Sequence, residues 1–143
     1  MNRGGVIITQ IEPFIHVVET TKSFNEALVA VRQTAEANKW RVLGDYDFSE
    51  ILGSKGFPQA EQVKALDISN PGHADLRMGA ERLTALCMPC SVLVYTENGA
   101  TKLAAMSPAA MMPQLFPESA PRVQAQLHQV TQAVTSILEQ AAG

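Results

Sequence analysis

The spacing of apolar residues changes period several times along the chain, and each change marks an element. Val6-Ile7-Ile8 and Phe14-Ile15-His16-Val17-Val18 are β-rich runs separated by Pro13, and they read as strand material near a sheet edge. Ser23-Phe24-Asn25-Glu26 has the form of a capping box. Phe24, Ala27, Leu28, Val31 and Ala35 then recur at helical spacing, which predicts a helix over about 24–38. Trp40, Val42, Gly44, Tyr46 and Phe48 alternate with Arg41, Leu43, Asp45 and Asp47, the pattern of a half-buried strand with a solvated face carrying both aspartates. The following "LGSKGFPQAEQ" reads as a loop.

Val63 to Ile68 returns to strand, and Ser69-Asn70-Pro71 reads as a helix start with Asn70 as N-cap and Pro71 in the first position. Leu76, Gly79, Ala80, Leu83, Leu86 and Cys87 fall on one face of that helix, which Pro89 stops. Ser91 to Thr96 is a strand, Asn98-Gly99 a tight hairpin turn, and Thr101 to Met106 the return strand. "SPAAMMPQLFPESAP" reads as a Pro-rich connector with a short helical turn. Val123, Leu127, Val130, Val134, Ile137 and Ala141 then form the narrow seam of a long C-terminal helix. The order β-β-α-β-β-α-β-β-α predicts an α+β fold in one domain over residues 1–143, an antiparallel sheet with helices packed on one face. The other face needs cover, and a second copy of the chain supplies it.

Composition sharpens this picture. Apolar residues make up 46% of the 143 residues, enough for a proper core. Charged residues are only 17%, and a weakly charged surface again favours a homodimer. The net charge of -3 comes without a basic stripe, which argues against a nucleic-acid partner. No apolar run reaches the ~18 residues of a membrane span, and the N-terminus does not read as a signal peptide, so a cytoplasmic protein with reduced thiols is expected. Ser-His-Asp, G-x-G-x-x-G and P-loop patterns are missing.

Cys87 and Cys90 stand in a C-x-x-C. A redox pair of this kind needs its first thiolate at a helix N-terminus, whereas Cys87 is predicted in a last turn, where the dipole disfavours a thiolate. A zinc site needs about four ligands, yet there is no second pair, and His16, His73 and His128 are not spaced to complete one. Cys87 reads as a core residue on an apolar stripe.

Cys90 has a further context. "LDISNPGHADLRM", followed by "LCMPCSVLVYTENGATKLAAMSPAAMM", resembles the DUF302 family, proteins of TT1751-like fold. Asn70-Pro71 match the family's Asn-Pro after a strand, Pro89-Cys90 its Pro-Cys opening the next strand, and Pro108 its later Pro, with Ser107 in place of Asp. "KSFNEALVAVRQTAEANKWRVLGDYDFSEIL" resembles the family's opening, so the likeness runs from about Phe24 to the end. Where the family commonly has Cys before Asn-Pro, this chain has Ser69, so a thiol pair between those positions cannot form here. The resemblance implies a module like a TATA-binding-protein half-fold, usually a homodimer, with no assigned biochemical role. Architecture alone does not imply TATA-box binding.

Ser69, Asn70, His73 and Cys90 are the expected ligand-binding residues. The first two end a strand, His73 lies in the first turn of the next helix, and Cys90 opens the strand after it. Free N–H groups at that helix start suit an anion, and the positive end of the dipole favours a neutral His73 able to accept a proton or bind a metal or haem iron. His16 reads as a hydrogen-bonded strand histidine and His128 as solvated. Met111-Met112 offer an apolar wall for a flat ligand. These residues suggest a non-catalytic, homodimeric small-ligand-binding module, with a haem or metal held by His73, His16 or Cys90 as its sharper form. The alternatives are a thiol enzyme or redox sensor using Cys90, with His73 as base, and a purely structural partner protein.

Overall fold

The computed structural model describes residues 2–3, 6–11 and 13–143. The described strands are β1 (Asn2–Arg3), β2 (Val6–Ile11), β3 (Ile15–Thr20), β4 (Arg41–Asp47), β5 (Val63–Ser69), β6 (Cys90–Glu97) and β7 (Ala100–Met106). They form one sheet in the order β1-β2-β3-β7-β6-β5-β4, with every neighbouring pair antiparallel. The helices are α1 (Phe24–Ala37), α2 (Phe48–Ser54), α3 (Pro71–Ala80), α4 (Pro108–Leu115) and α5 (Gln124–Ala142), with single 3-10 turns over Arg82–Cys87 and Ala120–Val123.

Alternation in the strands creates the core. Val18, Leu66, Ile68, Val92, Val94 and Leu103 point to one face, and α1 and α5 lie across it. Helix α5 buries Leu127, Val130, Val134, Ile137 and Ala141, the seam read from the sequence. Helix α1 buries Phe24, Ala27, Val31 and Ala35 behind a complete capping box, in which Ser23 and Glu26 each satisfy the other's backbone N–H. The α+β arrangement with an antiparallel sheet is thus the one expected. The β6–β7 turn places Asn98 and Gly99 at φ 51° and 82°, the left-handed pair that a two-residue hairpin needs.

Strands β2 and β3 lie toward one end of the sheet, as read, with β3 paired on both sides, by β2 and β7. Three local readings are corrected. Strand β4 carries a bulge, so Val42 stands opposite Ile68 on the core side while Gly44 stands opposite Asp67 on the other face. A Cβ at Gly44 would lie 2.9 Å from the Tyr46 ring, which packs over it.

The stretch read as strand end and loop is helix α2. Asp47 is its N-cap, accepting the Glu50 N–H at 2.9 Å. Asp45 and Asp47 share one face of β4, opposite Leu66 and Lys64; Asp45 is exposed and pairs with Arg32 and Lys64.

The long helix expected after Pro71 ends at Ala80, because Glu81 is extended and its side chain caps the following 3-10 turn at Leu83. Leu76, Leu83 and Leu86 are consequently exposed, and Arg77 and Thr84 are buried instead. The Pro-rich connector contains α4, capped by Ser107 with Pro108 in the first turn.

Ile137→Ala should destabilise the protein by about 2–5 kcal/mol in urea unfolding, because the side chain is fully buried between α5 and the sheet. The exposed His128→Ala should stay within about 0.5 kcal/mol of wild type.

Candidate functional site

Helix α3 begins as its sequence predicts. The Asn70 side-chain oxygen accepts the N–H groups of Gly72 at 3.1 Å and His73 at 3.3 Å, with Pro71 in the first turn. The donors expected to hold an anion are therefore occupied by Asn70 itself. Ser69 ends β5 half-buried, opposite Arg41 of β4.

His73 turns inward. Its Nδ1 lies 2.8 Å from Gln126 Nε2 of α5, and its ring sits 5.8 Å from that of Trp40, tilted by 34°. The same amide nitrogen donates to the His73 carbonyl at 3.3 Å. Nδ1 is thus the acceptor and the imidazole proton belongs on Nε2. Burial, with the nearby Arg77 charge second, pushes the His73 pKa down. Desolvation and the Arg77 charge favour the neutral imidazole that the sequence attributes to the helix dipole.

One turn further along α3, Arg77 is only 4% exposed. Its Nε has no hydrogen-bond partner among the described residues, nor does Gln126 Oε1 nearby on α5. The guanidinium lies close enough to Cys90 for its charge to act on the thiol. Cys90 opens β6 opposite Ile68 and packs against the core. Burial raises its thiol pKa; the Arg77 guanidinium works against that, and Asp67 adds to it. A raised thiol pKa is the reverse of what a nucleophile requires at neutral pH. Of the four expected site residues, His73 and Cys90 are drawn together through Arg77, while Ser69 and Asn70 serve the strand end and the cap.

A cleft opens beside this cluster where β6 begins and β7 ends, with a volume of about 400 Å³. Its polar end is Asp67 and Ser91, cross-strand partners on the sheet face away from the core, with Ser91 Oγ donating to Asp67 Oδ1 at 2.6 Å. Its walls come from the Cys87–Cys90 segment, from Met106 at the end of β7, and from Met111 of α4. Leu86, 83% exposed, stands at the rim. Cys87 is half-buried and packs toward Met112 and Leu127, so it joins the core on one side and lines the cleft on the other.

The remaining candidates lie elsewhere. His16 is buried in β3 with Nε2 3.5 Å from Glu139 of α5, and His128 is exposed. Met112 is buried in the small cluster behind α4, so only Met111 of the pair faces the cleft. Among the described residues no three His, Cys, Asp or Glu side chains group to hold a metal, and no helix is long and apolar enough to cross a membrane. Sequence reasoning missed Arg77, Gln126, Trp40 and the Asp67–Ser91 pair. Arg77 stands four residues after His73, a spacing that places both on one helix face, but nothing local marks that face as the buried one.

The family model described as "Domain of unknown function DUF302" matches residues 16–141. A solved structure, the uncharacterized conserved protein DUF302 from Bacillus stearothermophilus, superposes with a TM-score of 0.83 at 22% identity, over 90% of this chain and 98% of that one. The likeness shows a shared fold. No curated protein matches.

The imidazole of His73 should titrate by NMR below the ordinary value of about 6.5, because burial and Arg77 lower it. In Arg77→Met the midpoint should rise part of the way back, the charge being the second of the two causes. The unfolded chain takes up a proton near pH 6.5 that native His73 resists. Its contribution to stability is therefore full above that pH and lost as the pH falls through the native midpoint. A native midpoint above 6.5 would contradict this account.

Proposed function

The chain belongs to the DUF302 family, and within it we propose a non-catalytic, homodimeric module that binds a small ligand in the cleft at the start of β6. The observation that carries this reading is the cleft itself. Its roughly 400 Å³ fall in the range of small-molecule sites. Its make-up is that of such sites too: apolar walls with a few convergent polar groups, here Asp67 and Ser91. Methionine walls adapt their shape to a ligand. Catalysis by Cys90 is disfavoured by its burial and raised pKa.

The cleft is tested with Nile red, a neutral apolar dye. Saturable emission from one dye per chain is expected, and Met106→Trp should abolish it by filling the cleft from an exposed position. Dye binding that survives Met106→Trp, or no saturable binding at all, would overturn the reading.

Support for the second copy comes from β4 and α2. Strand β4 is a sheet edge. Helix α2 buries none of its residues, and Phe48, Ile51 and Leu52 form one exposed stripe. Leu43 and Phe57, each 64% exposed, flank it in sequence. Together these side chains expose on the order of 500 Å² of apolar surface, at the top of what a typical monomer leaves in one patch. A standard interface buries about 800 Å² per partner, so an isologous contact through this patch and its polar surroundings is large enough for a stable dimer. Helix α2 contains Glu50 and no Lys or Arg, unlike a helix that lies on a membrane. Sedimentation should show a wild-type dimer and a folded monomer for the double variant Ile51→Glu, Leu52→Glu. A monomeric wild type, or a dimer that survives both substitutions, would refute this assignment.

A further inference from the structure

Asp67, Ser91 and Met106 form one row across three neighbouring strands. Asp67 of β5 stands opposite Ser91 of β6, and Met106 of β7 lies one step beyond the Val92–Ala105 pair, which sets it beside Ser91. All three project from the face away from the core, since Leu66, Ile68, Val92 and Ala105 alternate with them toward it. Neighbouring strands are about 4.8 Å apart, so the row runs about 10 Å from a carboxylate, across a hydroxyl, to a thioether. Each of the three lines the cleft. The Cys90 side chain points to the core face, and Arg77 does not line the cleft.

Among the described residues, Asp67 is the one charged residue that lines this cleft. It is half-buried, and its carboxylate accepts a hydrogen bond from Ser91 Oγ at 2.6 Å. Among the described residues no Lys, Arg or His forms an ion pair with it. On its other side β4 offers Gly44, which has no side chain to bring a donor. Leu86, Met88, Met106 and Met111 make the walls apolar. A carboxylate with acceptor capacity to spare, at one end of an apolar trough, is complementary to a cation with an apolar body. A divalent metal ion would look for several oxygens, and among the described residues no three His, Cys, Asp or Glu side chains group to hold one.

We propose that the cleft binds a protonated amine with an apolar chain, its ammonium group donating to Asp67 and its chain lying past Ser91 along Met106 and Met111. This rests on the reading that the cleft takes a small ligand, and it names the class. Ser91 holds one carboxylate oxygen and leaves the other for the ammonium N–H. Methionine side chains are unbranched and flexible, so the walls close on chains of differing shape. An anion of the same size would meet the Asp67 charge with no cation beside it and be repelled.

The test uses the full chain at neutral pH and three probes that share one chain: octylamine, octanol and octanoate, with positive, neutral and negative head groups. Affinities are read by calorimetry below micelle-forming concentrations and by displacement of Nile red. Octylamine should bind one per chain, about tenfold tighter than octanol, with octanoate weaker than either. Asp67→Asn keeps the shape of the side chain and should bring octylamine down to the affinity of octanol while leaving octanol unchanged. Should Asp67→Asn fail to fold, the wild-type series still reads the sign of the head group, and Met106→Trp should abolish octylamine binding by filling the cleft. Octylamine that binds no tighter than octanol, or whose advantage survives Asp67→Asn, would overturn the proposal. Nile red bound in the cleft of a protein that shows no preference for octylamine would end the amine assignment and leave the small-ligand reading standing. Failure of both Nile red and octylamine to bind would end both.

Discussion

The antiparallel register of β5 and β6 sets Ile68 opposite Cys90 and Asp67 opposite Ser91, and the geometry of the cleft follows from it. Side chains alternate with a period of two, so a slip of one residue would turn Asp67 and Ser91 into the core and Ile68 outward. What prevents the slip is burial. Leu66, Ile68, Val92 and Val94 are all fully buried under α1 and α5, and a slipped sheet would expose them to water. The polar end of the cleft and the position of Cys90 are therefore set by the apolar core on the opposite side of the same two strands. The cleft walls are less constrained, being drawn from the Cys87–Cys90 segment and the start of α4.

Where a local rule suffices, the sequence is transparent. The capping box before α1, the Asn70-Pro71 start of α3, the Asn98-Gly99 turn and the seam of α5 are each decided by residues within a few positions of one another. Helix α2 was hidden because two local rules overlap there. The Asp47-x-x-Glu50 cap falls inside an apolar–polar alternation that reads as strand, and Gly53, Gly56 and Pro58 make the rest look like loop. The β4 bulge is hidden for a similar reason, since one inserted residue leaves the sequence alternation intact while reversing the face of everything on one side of it.

The α3 region misled in a more instructive way. Periodicity assigned Leu76, Leu83 and Leu86 to the buried face, yet they are exposed while Arg77 and Thr84 are enclosed. Two tertiary facts decide this, and neither is local: the break at Glu81 rotates the following turn, and α5 presents Gln126 to His73. Sequence spacing brought His73 and Cys90 into one neighbourhood, but the residue that connects them is a cation that no pattern of apolar positions would place inside. Enclosing a guanidinium costs on the order of several kcal/mol unless a partner compensates it.

The β6–β7 hairpin has an engineering consequence. Its tip at Asn98-Gly99 lies at the opposite end of the two strands from the cleft, about 20 Å away for strands of this length. Exposed turn tips are the places where inserted sequence is best tolerated. A reporter domain spliced between Asn98 and Gly99 would be anchored to the same two strands that frame the cleft, yet stand clear of its mouth. The hairpin is thus a natural lever by which a change in strand geometry at the cleft could be read out as a change in a distant fluorescent insert.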